Sequence, residues 1–220
     1  MFGLSGIGAE HVTVKSYFEL QAVHYVHRSM NQQELFVSTA GLPEGFFYER
    51  EFISPREETE LMTTIQCLPL KEAQYLQYTA RRRIVSFGGS YDFSSQELRP
   101  AGPIPSWLYP IRGRIADLMG VGASSINHAL VAEYSPGTPL GWHRDVPDFE
   151  VVGGLSLVGP ARMRLRRYPH PKGDRTALKL DLEPRSAYAM RGAARWKWQH
   201  AISPTKELRY SITFRTLAGA

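Results

Sequence analysis

The chain has 220 residues, 43% of them hydrophobic and 21% charged, enough for one filled core and short for two independent domains. Its 26 Lys and Arg against 21 Asp and Glu give a formal net charge of +5 and a pI near 9.4, which favours anionic partners, nucleic acid among them, without requiring one. No apolar run approaches the length that spans a bilayer. The lone Cys67 excludes an internal disulfide and any cysteine-based metal cluster. A soluble, cytoplasmic monomer with no membrane partner is the expectation.

Residues 1–30 carry scattered apolar residues, His11, His24 and His27, and no helical or strand period. They read as a mobile N-terminal extension, and residues 31–220 as a single domain. The opening "MFGLSGIGAEHV" has no basic region followed by a sustained apolar stretch, so no secretory leader is expected. A second possible start lies at Met30.

In "FISPREETELMTTIQCLPL" Ser54 stands as N-cap, Pro55 at the first helical position and Glu57 three residues after the cap. Leu61, Ile65 and Leu68 mark one apolar face, and Pro69 closes the helix. A second helix is predicted in "IPSWLYPIRGRIADLMG", starting near Pro110, with Ile111, Ile115 and Leu118 on one face and Gly120 at its stop. From Ser125 the pattern changes to short strands: "INHALVAEY", "VGGLSLV", "ARMRLRRY", "ALKLDL", "SAYAM" and "LRYSITFR", separated by turn clusters. The fold class expected is α+β, a β-sandwich or barrel buttressed by N-terminal helices.

Candidate chemistry sits in "PGTPLGWHRDVPDFE". His143 and Asp145 are one residue apart, and on a strand both would share a face. His200 in "WKWQHAISP" is a third candidate ligand, 55 residues after Asp145. Alternation in "LRYSITFR" puts Arg209, Ser211, Thr213 and Arg215 on one face and Tyr210, Ile212 and Phe214 on the other. Two arginines on an inward face call for an anion, and a guanidinium fork suits a small dicarboxylate. Two His and one carboxylate are the facial set that holds Fe(II) with positions left open.

With these segments the sequence resembles the AlkB family of 2-oxoglutarate-dependent dioxygenases, from about Gly45 to Leu217. "GFFYEREFISPREE", "EYSPGTPLGWHRD" and "RYSITFR" carry the resemblance. It implies a double-stranded β-helix, or jelly roll, with Fe(II), 2-oxoglutarate and O₂. His143, Asp145 and His200 would be the iron ligands. Arg209 would pair with the distal carboxylate of 2-oxoglutarate, Tyr134 would hydrogen-bond it, and Arg215 would lie near its other end or support Asp145. The chain departs from the family pattern at Ala132 and Ser211, where many members carry Asn; Ser211 is retained as a co-substrate contact.

The implied reaction is oxidative dealkylation of N-alkylated bases in DNA or RNA: a hydroxylated N-alkyl carbon collapses to aldehyde and repaired base, with succinate and CO₂ as co-products. Arg162, Arg164 and Arg166 share one face of "ARMRLRRY" and offer a stripe to phosphates, or a solvated face. After "RRR" at 81–83, Phe87, Tyr91 and Phe93 are candidates for a base pocket, or for core, on a hairpin that Gly88 and Gly89 would make mobile. Trp142, Trp196 and Trp198 flank the ligands as packing supports. Two further readings stay open: a 2-oxoglutarate oxygenase acting on protein or a small molecule, and a non-catalytic basic β-protein that binds nucleic acid.

Overall fold

The computed structural model describes residues 41–75, 78–92, 95 and 97–219. The expected extension 1–30 and Phe93 lie outside the described residues. In chain order the elements are β1 (Phe46–Glu49), α1 (Pro55–Ile65), β2 (Lys71–Tyr75), β3 (Tyr78–Phe87), β4 (Ser90–Asp92), β5 (Glu97–Arg99), a 3₁₀ turn (Ser106–Leu108) and α2 (Tyr109–Met119). A second 3₁₀ turn (Ala123–Ser125) leads into β6 (Ile126–Tyr134), β7 (Leu140–His143), β8 (Phe149–Leu157), β9 (Ala161–Arg167) and β10 (Leu178–Leu182). Then come β11 (Ala187–Met190), α3 (Gly192–Trp196), β12 (Trp198–Ile202) and β13 (Arg209–Leu217).

The strands pair antiparallel into a seven-stranded sheet, ordered β1-β11-β8-β13-β6-β3-β2, and a four-stranded sheet, β10-β9-β12-β7; β4 and β5 form a separate hairpin. Alternation along each strand divides the apolar residues between two cores. One face of the large sheet gives Val131, Leu155, Ile212 and Phe214 to a core with Leu61 and Ile65 of α1 and Ile111, Ile115 and Met119 of α2. The other face gives Phe46, Tyr48, Val152 and Met190 to a core with Met163, Leu165, Leu182 and Ile202 of the small sheet. This two-sheet jelly roll, buttressed by helices on one outer face, is the predicted fold class.

Local chemistry explains both long helices. Ser54 accepts from the Glu57 N–H at 3.2 Å while the Glu57 carboxylate accepts from the Ser54 N–H at 2.7 Å, a complete capping box. Gly120 ends α2 in the left-handed conformation, φ 69°. α2 lies so close to β8 that a Cβ at Gly153 would stand 2.7 Å from the Met119 sulfur and 3.0 Å from Ile115 Cγ1; glycine there sets the depth at which the helix seats on the sheet.

Two expectations change. The strands do not begin at Ser125: β1 to β5 precede α2, and the arginine run 81–83 lies on β3. In α2 the buried face is Ile111, Ile115, Ala116 and Met119, with Leu118 only partly buried beside it.

Candidate metal centre and anion pocket

The inner face of the jelly roll brings the three predicted ligands together. His143 closes β7 directly opposite His200 of β12, and their rings stand 4.2 Å apart, tilted by 54°. Ligand-capable atoms of His143, Asp145 and His200 all fall within 4.8 Å of one another. The pairing that achieves this is irregular. Leu140 opposes Ile202 while His143 opposes His200, so β7 takes three steps where β12 takes two, a β-bulge. Leu140 reaches the inter-sheet core, and Trp142, between it and His143, lies under the outer arginines described below.

Asp145 is not on the strand, contrary to the simple alternation of His143 and Asp145. β7 ends at His143, and Asp145 sits in the irregular segment beyond. Buried contacts hold it in place. Arg215 Nε donates to Asp145 Oδ1 at 2.8 Å, and Asp145 Oδ2 lies 3.7 Å from His200 Nε2. From α3, Arg195 Nη2 donates to the carbonyls of Asp145, Val146 and Phe149 at 3.1, 2.8 and 2.8 Å, clamping the loop from behind.

Protonation suits a cation. The His143 Nδ1 lies 2.9 Å from the Gly141 carbonyl; a carbonyl only accepts, so Nδ1 carries the proton and Nε2 keeps its lone pair. Burial pushes His200 down to about 3, aided by the neighbouring His143 and opposed by Asp145. Burial likewise lowers His143, with Asp145 opposing. For Asp145 burial acts upward, but Arg215 and the two imidazoles outweigh it and hold the carboxyl below its ordinary range. Neutral imidazoles beside an ionised carboxylate are the donor set of the Fe(II) facial triad, so these residues fit that ion.

His128, on β6 opposite Arg215, was not singled out in the sequence. Its Nδ1 stands 3.2 Å from Arg215 Nη1, and burial lowers its pKa to about 3, with Arg215 adding to the shift. The imidazole is therefore a neutral acceptor that fixes the guanidinium aiming at Asp145. Its parity with Tyr134 on "INHALVAEY" was the available signal. For Arg195, in a five-residue helix, no sequence signal exists.

Deeper along the same face lies an anion pocket. Arg209 is 2% exposed, its guanidinium carbon 4.9 Å from the centre of the Tyr134 ring opposite it. Arg209 Nε donates to Ser156 Oγ at 3.3 Å. Its Nη1 is buried with no hydrogen-bond partner among the described residues. A buried, unpartnered guanidinium nitrogen is costly unless an anion meets it, and the carboxylate of a small dicarboxylate has the geometry to do so. Burial pushes the Tyr134 phenol up, but Arg82, Arg209 and the Ser211 hydroxyl outweigh it and leave the pKa below the ordinary tyrosine value. Tyr188 packs directly against Gly154, where any Cβ would overlap its ring.

The remaining predicted residues divide. Phe87 is corrected. Arg83 pairs with Glu133 across β3 and β6, and this phase turns Val85 and Phe87 toward the helix-side core, away from the triad. Tyr91 is half-buried on β4. Gly88 is set by close approach: at φ 78°, a Cβ there would overlap the Asn127 carbonyl. Arg162, Arg164 and Arg166 do share the outer face of β9, opposite Met163 and Leu165. Arg162 is bound by Asp181 through two contacts of 2.7 and 3.1 Å. Arg164 and Arg166 lie 4.9 and 4.3 Å from the centre of the Trp142 ring. Nearby, Arg167 stacks on Trp198 and Arg144 on Tyr168.

Comparison with known proteins agrees with this geometry. Residues 45–215 match the profile of the 2OG-Fe(II) oxygenase superfamily. The chain is similar to an Arabidopsis thaliana "Alkylated DNA repair protein ALKBH8 homolog", 29% identical over 72% of this chain and 50% of that one. It is 30% identical to a Danio rerio "Probable RNA/DNA demethylase ALKBH6" over 53% of this chain and 47% of that one. The chain therefore spans about half the length of these relatives. Among solved structures it is similar to OsALKBH1, with a TM-score of 0.62 at 19% identity, over 78% of this chain and 96% of that one.

Proposed function

Since the chain belongs to the 2OG-Fe(II) oxygenase superfamily, as a member of its AlkB family, we propose that it oxidatively dealkylates N-alkylated bases in DNA or RNA. The observation that carries the reading is the placement on one inner face of the triad and of Arg209, whose buried Nη1 has no hydrogen-bond partner among the described residues. His143, Asp145 and His200 hold Fe(II), and the metal with 2-oxoglutarate supplies the oxidation of the N-alkyl carbon. The residues around it do the positioning. Arg209 and Tyr134 orient the co-substrate by its distal carboxylate, with Ser211 beside them. Arg215, itself fixed by His128, holds Asp145 ionised, and Arg195 fixes the loop that carries it.

Support for nucleic acid comes from the names of the two relatives and from the outer face of the small sheet. A guanidinium laid on an aromatic ring keeps N–H groups for phosphate oxygens; Arg164 and Arg166 both lie over Trp142, and Arg166 gives only its Nε to Gln199, at 2.8 Å. The test is anaerobic reconstitution with Fe(II), then addition of O₂ and mass spectrometry of methylated and etheno-adducted DNA and RNA. Loss of the alkyl mass with stoichiometric succinate supports the proposal. Succinate without any change in the oligonucleotides refutes it.

The basic stripe gives its own prediction. Converting Arg162, Arg164 and Arg166 together to Gln weakens oligonucleotide binding and flattens its salt dependence by up to about 0.9 per lost phosphate contact on duplex DNA. Arg162, already held by Asp181, contributes least of the three. Sequence preference stays the same, since phosphate contacts position without specifying. Titrations at several salt concentrations read both effects, and a parental slope makes the stripe an ordinary solvated face.

A further inference from the structure

The run Arg81, Arg82, Arg83 is divided by the strand that carries it. Arg83 pairs with Glu133 on the helix-side face, at 2.6 and 2.8 Å, and Tyr210 donates to the same carboxylate at 2.8 Å. Arg81 has the same parity as Arg83 and is exposed. Arg82, between them, must face the interior of the jelly roll. The register that sets Arg83 against Glu133 and Ile84 against Ala132 brings Arg82 beside Tyr134, on the side opposite Arg209. Two strand spacings separate the backbones of Arg82 and Arg209, about 10 Å, with Tyr134 on the strand between them.

Three observations concern what lies between them. Arg82 Nε is buried with no hydrogen-bond partner among the described residues, as is Arg209 Nη1. The inner-face neighbours of Tyr134 on β6 and β13 are Ala132 and Ser211, a methyl and a short hydroxyl. Arg82 also lies close enough for its charge to act on Tyr134. Two cations held on either side of one phenol, each with a buried unmet N–H, form a receptor for a single anionic group.

We infer that Arg82 is a second anchor for the co-substrate, sharing with Arg209 the distal carboxylate of 2-oxoglutarate across the Tyr134 hydroxyl. This rests on the reading of the site as a 2-oxoglutarate pocket. It assigns the middle residue of the arginine run to the oxygenase site, while its neighbours serve the sheet surface.

The test is calorimetric titration of the full chain, loaded anaerobically with Mn(II), using 2-oxoglutarate and 2-oxopentanoate, which keeps the keto acid and lacks the distal carboxylate. Arg82→Gln should weaken 2-oxoglutarate binding about tenfold or more, the effect of losing one charge-assisted contact in a shielded site. Arg82→Lys should recover part of the loss. Both variants should bind 2-oxopentanoate as the parent does, which also shows that the pocket is intact. Arg82→Gln binding 2-oxoglutarate with parental affinity overturns the inference. So does an equal loss for both ligands, and so does an unchanged 2-oxoglutarate affinity accompanied by weaker oligonucleotide binding, which gives Arg82 to the substrate. A parent protein that binds neither keto acid removes the co-substrate reading itself.

Discussion

Replacing His143 or His200 with Ala is expected to bring 2-oxoglutarate turnover to background while the protein stays folded, and replacing Asp145 with Ala is expected to do both kinds of damage. The difference follows from what each side chain does without a metal. The imidazoles are neutral, and His143 spends its one hydrogen bond on a carbonyl two residues away. Their removal leaves no charge stranded. Asp145 neutralises Arg215, whose side chain is only 13% exposed. Deleting the carboxylate strands that guanidinium, at a cost of about 3–5 kcal/mol. Urea unfolding of the metal-free proteins reads the stability difference, and succinate formation reads the activity. A His200→Ala protein that still turns over 2-oxoglutarate with parental iron content would falsify the triad assignment.

Arg209→Lys is the second large effect. Arg209 is buried to 2%, with its Nε on Ser156 and its ring-facing plane over Tyr134. Lysine keeps the charge but cannot make the planar two-point contact, and its compact ammonium is more strongly hydrated and harder to bury. The expected result is a rise of roughly a hundredfold in the 2-oxoglutarate concentration needed for half-maximal turnover, about 3 kcal/mol. The maximal rate should fall much less, because the triad is untouched. Steady-state kinetics over a wide co-substrate range separates the two. Parental saturation in the variant would mean that the Arg209 guanidinium does not meet the co-substrate.

Much of this site is legible in the sequence because its signals are local. A His and an Asp one residue apart, and a strand alternating polar with apolar residues from Arg209 to Arg215, are read without knowing what pairs with what. The parity of that last strand holds in the fold: Tyr210, Ile212 and Phe214 join the helix-side core. What the sequence hides depends on register. Phe87 looked available to a substrate, yet the pairing of Arg83 with Glu133 fixes the phase of β3 and turns Phe87 to the helices. The same pairing sends Arg82 inward, where an Arg-rich segment is not expected to form an interior strand face. Arg195 is still less legible, since its partners are main-chain carbonyls nearly 50 residues away, and carbonyls leave no trace in side-chain pattern.

The bulge in β7 sets Gly141 and Trp142 against the single Ala201 that lies between Ile202 and His200 on β12. A strand repeats every two residues, so an odd change in length exchanges its faces. Leu140 and His143 are an odd number of steps apart, yet both serve the interior, and Trp142 is left for the outer arginines. The intervening Gly141 has open space where a Cβ would stand. A side chain at 141 therefore meets no neighbour, whereas Trp142 carries the outer arginines. Losing one residue between 140 and 143 would leave two steps against the two of β12 and restore the regular ladder with the imidazole still opposite His200. The irregularity therefore bears on the tautomer of the ligand and not on its face: His143 Nδ1 meets the carbonyl of Gly141, inside the bulge, at 2.9 Å.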